Sequence, residues 1–408
     1  MPQISSKIQK PYAIVIDLDE INGLQTSRIL AQRGVPVIGI AKDPEHYACR
    51  TNSCERIVFT DTKSPELIET LKQLGPKFEQ KAVLFPCEDI SVLLISQNRD
   101  LLKNWYHIAL PEPDRIEMMV NKVAFYDYAQ QQGFLIPKTF YIHNRAELEK
   151  AAESLIFPSI IKPPTSATKK WELNSKLKGY KVKNSEELIK IYNQCESWAD
   201  MLIVQDFVEG PESNLYSCNC YFNAESQPLV TFVARKLRQW PPITGESCLG
   251  EEVRDDVVLE LTVRLYKSIN HYGLGYLEIK KDERSGEYFI IEPNIGRPTG
   301  RSAIAEAGGV ELVYTMYCDV LGLPLPPNLE QKYNGIKWIY FKHDFLSALH
   351  QWRRGQLSLK EWISTISGPK TDAVFSWKDL APFWFDLLRS FRLFINPKER
   401  RKRNFSDL

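Results

Sequence analysis

Two carboxylates and an amide lie on one apolar hairpin-like segment, Gly275 to Asn294. The polar run Asp282 to Gly286 separates two apolar stretches, which is a hairpin signal. A turn centred on Ser285 sets Glu278 directly opposite Glu292, and Asn294, two residues on, points to the same face. Like charges opposed on a sheet destabilise it, so two acids in apolar strands call for a cation between them. Glu278, Glu292 and Asn294 offer only oxygen ligands, a set that suits a hard ion such as Mg²⁺ held together with substrate phosphates. The competing reading is a surface hairpin whose acids face water.

Two further segments carry donors for a phosphorylated ligand. Phe157-Pro158-Ser159-Ile160-Ile161-Lys162 reads as a strand that the pair Pro163-Pro164 must stop at its lysine. An ammonium at such a strand end can hold phosphate as a point charge, although a surface lysine fits as well. Leu202 to Phe207 is an apolar strand running into a turn at Gly210-Pro211, with Glu212 just beyond. Backbone groups there can bind a purine, Gln205 can accept from an exocyclic amine, and Glu212 can accept from both ribose hydroxyls. An ordinary strand end and turn is the plainer account of each alone.

These groups need elements to position them. Tyr12 to Asp17 reads as a buried strand, followed by a loop at Asn22-Gly23, a helix from Leu24 to Arg33 capped by Gly34, and a strand at Val35 to Ile40. Further units alternate: strand Ile57 to Phe59, helix Pro65 to Leu74, strand Ala82 to Phe85 and a helix near Ser91 to Leu102. That alternation predicts a parallel sheet, without the G-x-G-x-x-G of a dinucleotide site. Pro111 and Pro113 mark a boundary near residue 115. A helix from Asn121 to Gln132, the strand ending at Lys162, a polar loop from Thr165 to Gly179, a helix from Ser185 to Cys195, strands from Met201 to Val233 and a helix from Val257 to His271 lead to the hairpin. Residues beyond about 326 read as a tryptophan-rich extension of short helices. Asp17, Asp19, Glu20 and Asn22 follow the first strand, where open α/β sheets bind ligands. They can hold an amine or cap the next helix.

A chain of 408 residues exceeds one comfortable core, and its 43% apolar and 25% charged residues describe an ordinary globular protein. A net charge of +1 says nothing about partners, and no nucleic acid is expected among them. Neither a signal peptide nor a membrane-spanning apolar run is legible, so a cytoplasmic location is expected. Eight cysteines and six histidines without ligand spacing read as reduced thiols and isolated imidazoles, not as a disulfide framework or zinc site. Nor is there a Ser/His/Asp or Cys/His pattern for a protein nucleophile. The C-terminus combines Phe383-Trp384-Phe385, Leu387-Leu388 and Phe391 with Arg389, Arg392 and the basic run Lys398 to Arg403. It has the composition of a peripheral membrane contact, against the plainer reading of a helix packed on the body.

Taken in order, these segments resemble the ATP-grasp superfamily over most of the chain. Within it they are most similar to D-aspartate ligase-like carboxylate–amine ligases. The latter likeness rests on Lys162-Pro-Pro through Lys178-Gly-Tyr-Lys181, on Arg235-Lys236-Leu-Arg-Gln-Trp-Pro-Pro, and on Glu292-Pro-Asn-Ile-Gly-Arg297-Pro-Thr-Gly-Arg301. The resemblance implies a Rossmann-like parallel-sheet domain at 1–115, then an ATP-grasp fold of two α+β subdomains sandwiching ATP. These fall at 116–200, with a lid at 163–181, and at 201–325, with a helical extension at 326–408. It implies that Lys122, Lys162, Lys178 and Lys181 meet phosphates, and that Gln205, Asp206, Phe207, Val208 and Glu212 form the adenine and ribose segment, with Val208 supplying backbone contacts. Glu278, Glu292 and Asn294 become the ligands of Mg²⁺, two ions being expected and Mn²⁺ an acceptable substitute. Arg235 or Lys236 reaches the β/γ-phosphates, and Arg297 and Arg301 hold the γ-phosphate, an acyl phosphate or a substrate carboxylate.

The implied reaction joins a small-molecule carboxylate to an amine through an acyl phosphate, with ADP and phosphate released. A kinase, a carboxylase-type enzyme or an inert nucleotide-binding module are the alternatives, and the oligomeric state is open. Three departures stand out. The usual hinge acid is Gln205. Glu-x-Asn is followed by Ile-Gly-Arg, one residue longer than the common Asn-Pro-Arg. D-alanine–D-alanine ligases carry an arginine two residues before the first metal acid, where this chain has Tyr276, so their substrate pocket is not carried over.

Overall fold

The computed structural model describes residues 10–164, 169–175, 177–243 and 245–395. Three sheets organise it. The first contains β1 (Ala13–Ile16), β2 (Val37–Ala41), β3 (Arg56–Phe59), β4 (Ala82–Phe85) and β5 (Tyr106–His107) in the order β3-β2-β1-β4-β5. All of its pairings are parallel. β1, β2 and β4 are buried along their whole length, which is why they read as unbroken apolar runs. The helix Ile21–Gln32 starts earlier than the sequence pattern implies and takes in Asn22-Gly23, which is no loop. Gly23 permits this, because a Cβ there would lie 2.2 Å from the Asp17 carbonyl oxygen. The helix expected over Ser91 to Leu102 is broken at Asn98 into Asp89–Gln97 and Arg99–Leu102.

The second sheet, β6-β9-β7-β8, is built from β6 (Thr139–Ile142), β7 (Ser159–Lys162), β8 (Tyr180–Val182) and β9 (Leu202–Asp206) and is antiparallel. β7 ends at Lys162, as the proline pair requires. The third sheet carries the hairpin. Its strands are β10 (Leu215–Phe222), β11 (Pro228–Trp240), β12 (Glu246–Glu252), β13 (Gly273–Lys281), β14 (Tyr288–Ile295), β15 (Lys337–Ile339) and β16 (Lys370–Asp372), in the order β14-β13-β10-β11-β12-β15-β16. One face packs under the helix Asp256–Ser268 through Cys218, Cys220, Leu277 and Leu265.

β15 and β16 correct the reading of the last eighty residues as short helices alone. That segment also closes one edge of the third sheet. A buried ion pair binds it there: Arg238 Nε on β11 donates to Asp344 Oδ1 at 2.7 Å, with side chains 4% and 0% exposed. Asp379 then accepts from Arg28 of the first helix at 2.8 Å and from Thr51 at 2.6 Å. The final helix, Ala381–Ile395, leans on the body through Asp386, which accepts from Lys342 at 2.9 Å. Trp384, Leu387, Leu388 and Phe391 remain exposed along it. The basic tail Lys398 to Arg403 and the loop residues 165–168 and 176 lie outside the described residues. No helix among the described residues is long and apolar enough to cross a membrane.

Candidate active site

The hairpin register decides which groups share a face. Lys281, Lys280 and Ile279 pair with Tyr288, Phe289 and Ile290, a register that would set Glu278 against Ile291. Ile291 is instead the extra residue of a bulge, and Glu278 pairs with Glu292. One inserted residue flips every later side chain to the other face. The bulge therefore turns Glu292 and Asn294 onto the face of Glu278, as expected from the sequence but by a route that sequence spacing does not reveal.

Following the pairings across the sheet gives three rows on this face. One holds Lys280, Leu215, Lys236 and Gly250. The next holds Glu292, Glu278 and Ser217. The third holds Asn294, Tyr276 and Asn219. Cations surround them. Lys122 Nζ, at the start of the helix Lys122–Gln131, is 3.5 Å from Glu292 Oε1. Arg301 Nη2 is 3.6 Å from Glu278 Oε1 and donates to Ser217 Oγ at 3.0 Å. Arg297 Nη2 donates to Asn294 Oδ1 at 2.6 Å, Nη1 to the Tyr276 hydroxyl at 2.9 Å, and Nε to Asp89. Each of the three oxygen-bearing groups thus faces one protein cation. Burial pushes the Glu292 carboxyl up, but Lys122, Lys178 and Lys162 outweigh it and hold the group below its usual range. Three oxygen donors on one face, with positive charge around them, fit a hard divalent cation that arrives with phosphates.

The structure separates the neighbours Arg235 and Lys236. Lys236 is 6% exposed, faces the acids and donates to Gln239 Oε1 at 3.0 Å. Burial pushes its ammonium below the usual lysine range, with Glu278 partly offsetting this. Arg235 points the other way and is bound to Glu251 at 2.5 Å, so, against the expectation from sequence, it does not share the face of the acids. Alternation along β11 is the reason.

At the far end, Lys162 Nζ donates to Gln205 Oε1 at 3.0 Å and to the Tyr126 hydroxyl at 3.1 Å. Gln205 Nε2 donates to Thr139 Oγ1 at 2.7 Å, so its amide oxygen is engaged by Lys162 and is not presented to a base. Asp206 turns away, with Oδ1 accepting from the Ile156 amide at 2.9 Å. Val208 is buried, and Glu212 Oε2 accepts from the Gln239 amide at 3.0 Å. Phe207 lies between two ammonium groups, Lys181 Nζ at 3.9 Å and Lys280 Nζ at 4.9 Å from its ring centroid. Lys178 Nζ reaches Glu246 at 3.1 Å, and Glu246 raises its pKa.

Several site groups escape the sequence pattern. Lys280 was legible as the same-face residue two after Glu278; burial and the charges of Lys181 and Lys236 push it down to about 8. Ser217, Asn219 and Glu246 carry no local signal. Glu88 and Asp89, at the end of β4, reach the site only through tertiary packing. Among the acids after β1, capping by side chain is not what the structure shows. Glu20 is the N-cap of Ile21–Gln32 but makes no side-chain cap bond, Asp17 Oδ2 accepts from Ser91 at 2.6 Å, and Asn22 donates to the Cys87 carbonyl at 2.9 Å. Asp19 accepts from the Lys42 and Asp43 amides at 3.0 and 2.8 Å. Burial and mutual repulsion push Glu20 well up, and burial raises Glu88 to about 7.

No family model matches the chain. Among curated proteins, D-aspartate ligase of Enterococcus faecium is 25% identical over 253 residues, covering 59% of this chain and 60% of that protein. D-alanine–D-alanine ligase B of Pseudomonas putida is 20% identical over 178 residues, covering 40% of this chain and 51% of that protein. The matched region therefore spans about half to three-fifths of these relatives' length. Among solved structures, the biotin carboxylase domain of Hydrogenobacter thermophilus 2-oxoglutarate carboxylase, complexed with MgADP, ADP and bicarbonate, aligns with a TM-score of 0.62 at 13% identity over 79% of this chain and 72% of that one. The L-amino acid ligase of Bacillus licheniformis aligns with a TM-score of 0.57 at 16% identity, over 76% and 74%.

The fold is that of the ATP-grasp enzymes. In sequence the chain is similar to D-aspartate ligase over the matched 253 residues.

Proposed function

We propose that this chain is an ATP-dependent carboxylate–amine ligase that makes an amide bond through an acyl phosphate and releases ADP and phosphate. The observation that carries this reading is the bulged hairpin face, where Glu278, Glu292 and Asn294 stand among Lys122, Lys236, Arg297 and Arg301. Attack of a carboxylate on a phosphoryl group brings two anions together, so fixed positive charge must supply most of the help. Glu278, Glu292 and Asn294 would hold Mg²⁺, which neutralises the transferring group when bound. Lys236, Lys162 and Lys122 take phosphate oxygens, and Phe207, Val208 and Glu212 hold the base and ribose. Gln205 acts here by holding Lys162 in place, since the amide oxygen that could meet a base is already engaged.

The parallel sheet of the first 115 residues we read as Rossmann-like, with its carboxyl edge facing the hairpin. Glu20 and Glu88 stand there; among the described residues Lys63 is 3.9 Å from Glu20, and the charge of Arg297 acts on Glu88. Two partly exposed, mutually repelling acids favour an incoming ammonium, which supports this edge as the place of the amine. Deprotonation of that amine frees its lone pair for attack, and a carboxylate raised toward neutrality is suited to take the proton. Residues 163–181 form the lid that keeps the acyl phosphate from water in this scheme.

Purified protein incubated with ATP, Mg²⁺ and a matrix of carboxylic acids and amines, starting from D-aspartate, should release ADP only when an acid is present. Phosphate should appear free. Phosphate retained on the acid product would make the protein a kinase, and no acid-dependent ADP would remove the ligase reading. Glu278→Ala should lose turnover with the fold intact by circular dichroism.

A further inference from the structure

The final helix, Ala381–Ile395, carries its polarity inside out. A helix on a protein body ordinarily turns its apolar stripe inward and its charges to water. Here the polar groups serve the body. Asp386 is 7% exposed and accepts from Lys342 and from the Tyr340 hydroxyl. Ser390 accepts from the same lysine at 3.3 Å, and Arg389 Nη2 lies 3.9 Å from Asp43 Oδ2. Trp384, Leu387, Leu388 and Phe391 form the opposite stripe, each 50–62% exposed. Their spacing of three and four residues sets them on one face. Trp377 extends it: its ring packs edge-on against Phe375, Phe375 against Phe383, and Phe383 against Trp384. A continuous row of large apolar side chains marks an interaction surface, unlike apolar residues scattered singly.

Charge selects the occupant. The sequence after the helix carries Lys398, Arg400, Arg401, Lys402 and Arg403 against Glu399. Its only large apolar residues are Phe405 and Leu408, too few to cover the stripe. A second copy of the chain would bring the same positive charge, whereas anionic headgroups bring the opposite one. Tryptophan suits the level of the headgroups, with an apolar body and one N–H donor. We infer that the outward stripe of the final helix docks the protein on an anionic lipid surface, the helix lying in the plane of the interface and the basic residues after it drawing the protein there. This surface is separate from the proposed active site and does not depend on the ligase reading.

The test is flotation of the full chain with vesicles of phosphatidylcholine alone and of phosphatidylcholine mixed equally with phosphatidylglycerol. Partition of the wild type into the anionic vesicles should exceed that into the neutral ones by about tenfold or more, and high salt should weaken it. Leu388→Ser with Phe391→Ser should lower partition about tenfold with the melting temperature unchanged, since both side chains are already half exposed. Arg400→Gln, Arg401→Gln and Lys402→Gln together should lower it about tenfold or more on anionic vesicles alone. Wild-type protein that floats with neither vesicle, or with both alike, would overturn the inference. So would full binding by the double serine variant, which would leave only attraction between basic residues and headgroups. A dimer seen by sedimentation velocity without lipid and dissolved by the serine substitutions, in a protein that floats with no vesicle, would overturn it in favour of a second copy. ADP release has no part in the readout, so failure of the ligase reading leaves this test intact.

Discussion

Replacing Lys122 by methionine should tighten the protein's grip on a free divalent metal while loosening its grip on ATP. Lys122 Nζ stands 3.5 Å from Glu292 Oε1. A metal that uses Glu292 must displace that ammonium. At this separation two unit charges attract by roughly 1 kcal/mol in water and roughly 5 kcal/mol at an effective dielectric of ~20. The side chains are 21% and 43% exposed, so solvent screening places the pair near the lower limit. About 1 kcal/mol corresponds to roughly fivefold in affinity. Free Mn²⁺, followed by its electron paramagnetic resonance signal without nucleotide, should bind Lys122→Met about fivefold more tightly than wild type. In the same variant the affinity for ATP with Mg²⁺ should drop, because a phosphate contact is gone. The opposite signs are what make the measurement informative. If Mn²⁺ binding is unchanged or weaker, Glu292 is not a metal ligand and the face has been misread.

Lys236→Met should lower kcat/KM for ATP by about tenfold or more, the worth of a hydrogen bond to a charged group, whereas Arg235→Met should stay within about twofold, since Arg235 serves Glu251. Equal losses in steady-state assays would reject the face assignment. Arg238→Met should destabilise the fold by about 3–5 kcal/mol in urea unfolding, because it strands the Asp344 carboxylate at 0% exposure; Arg238→Met with Asp344→Leu should regain most of the loss. A single-variant cost below about 1 kcal/mol would show that the pair is solvated. His271 is fully buried and pushed down to about 3 by burial. Its folded pKa lies below the unfolded one, so the unfolded chain binds more protons between about pH 3 and 6.5 and stability falls as pH drops through that window. His271→Phe should flatten this part of the stability–pH curve and change little at pH 8; an unaltered slope would refute the burial account.

Much of this architecture can be read from the chain, and what cannot has physical causes. β1, β2 and β4 announce themselves because strands buried on both faces must be apolar throughout. The helix Ser185–Cys195 begins and ends where its Asn184 cap and apolar spacing place it. The opposition of Glu278 and Glu292 was legible, but the bulge at Ile291 that produces it was not, since a bulge depends on pairing and not on residue type. Arg235 and Lys236 look alike in sequence, and only strand alternation tells them apart. Gln205 has a type suited to a base contact, yet Lys162 claims its oxygen from forty-three residues away. Asp89, Glu88 and Asn219 give no local sign because their meaning comes from tertiary neighbours. The strands β15 and β16 are three residues each, too short for periodicity to reveal.

The ties made by the last part of the chain bear on how the protein is born. Arg28 in the first helix meets its acid, Asp379, 351 residues later. At ~5–20 residues per second, the carboxylate leaves the ribosome roughly 20–70 s after the guanidinium. For that interval the nascent first sheet carries a positive charge it cannot yet bury. β12 likewise lacks its outer neighbour until β15 is made, and Arg238 waits for Asp344. Completion is thus deferred until β15, Asp344 and Asp379 are made, and earlier fragments present an open sheet edge and unmatched charge. Such a topology should fold slowly and lean on chaperones. Expression of shortened chains should give aggregates where domain boundaries drawn from sequence would suggest soluble pieces.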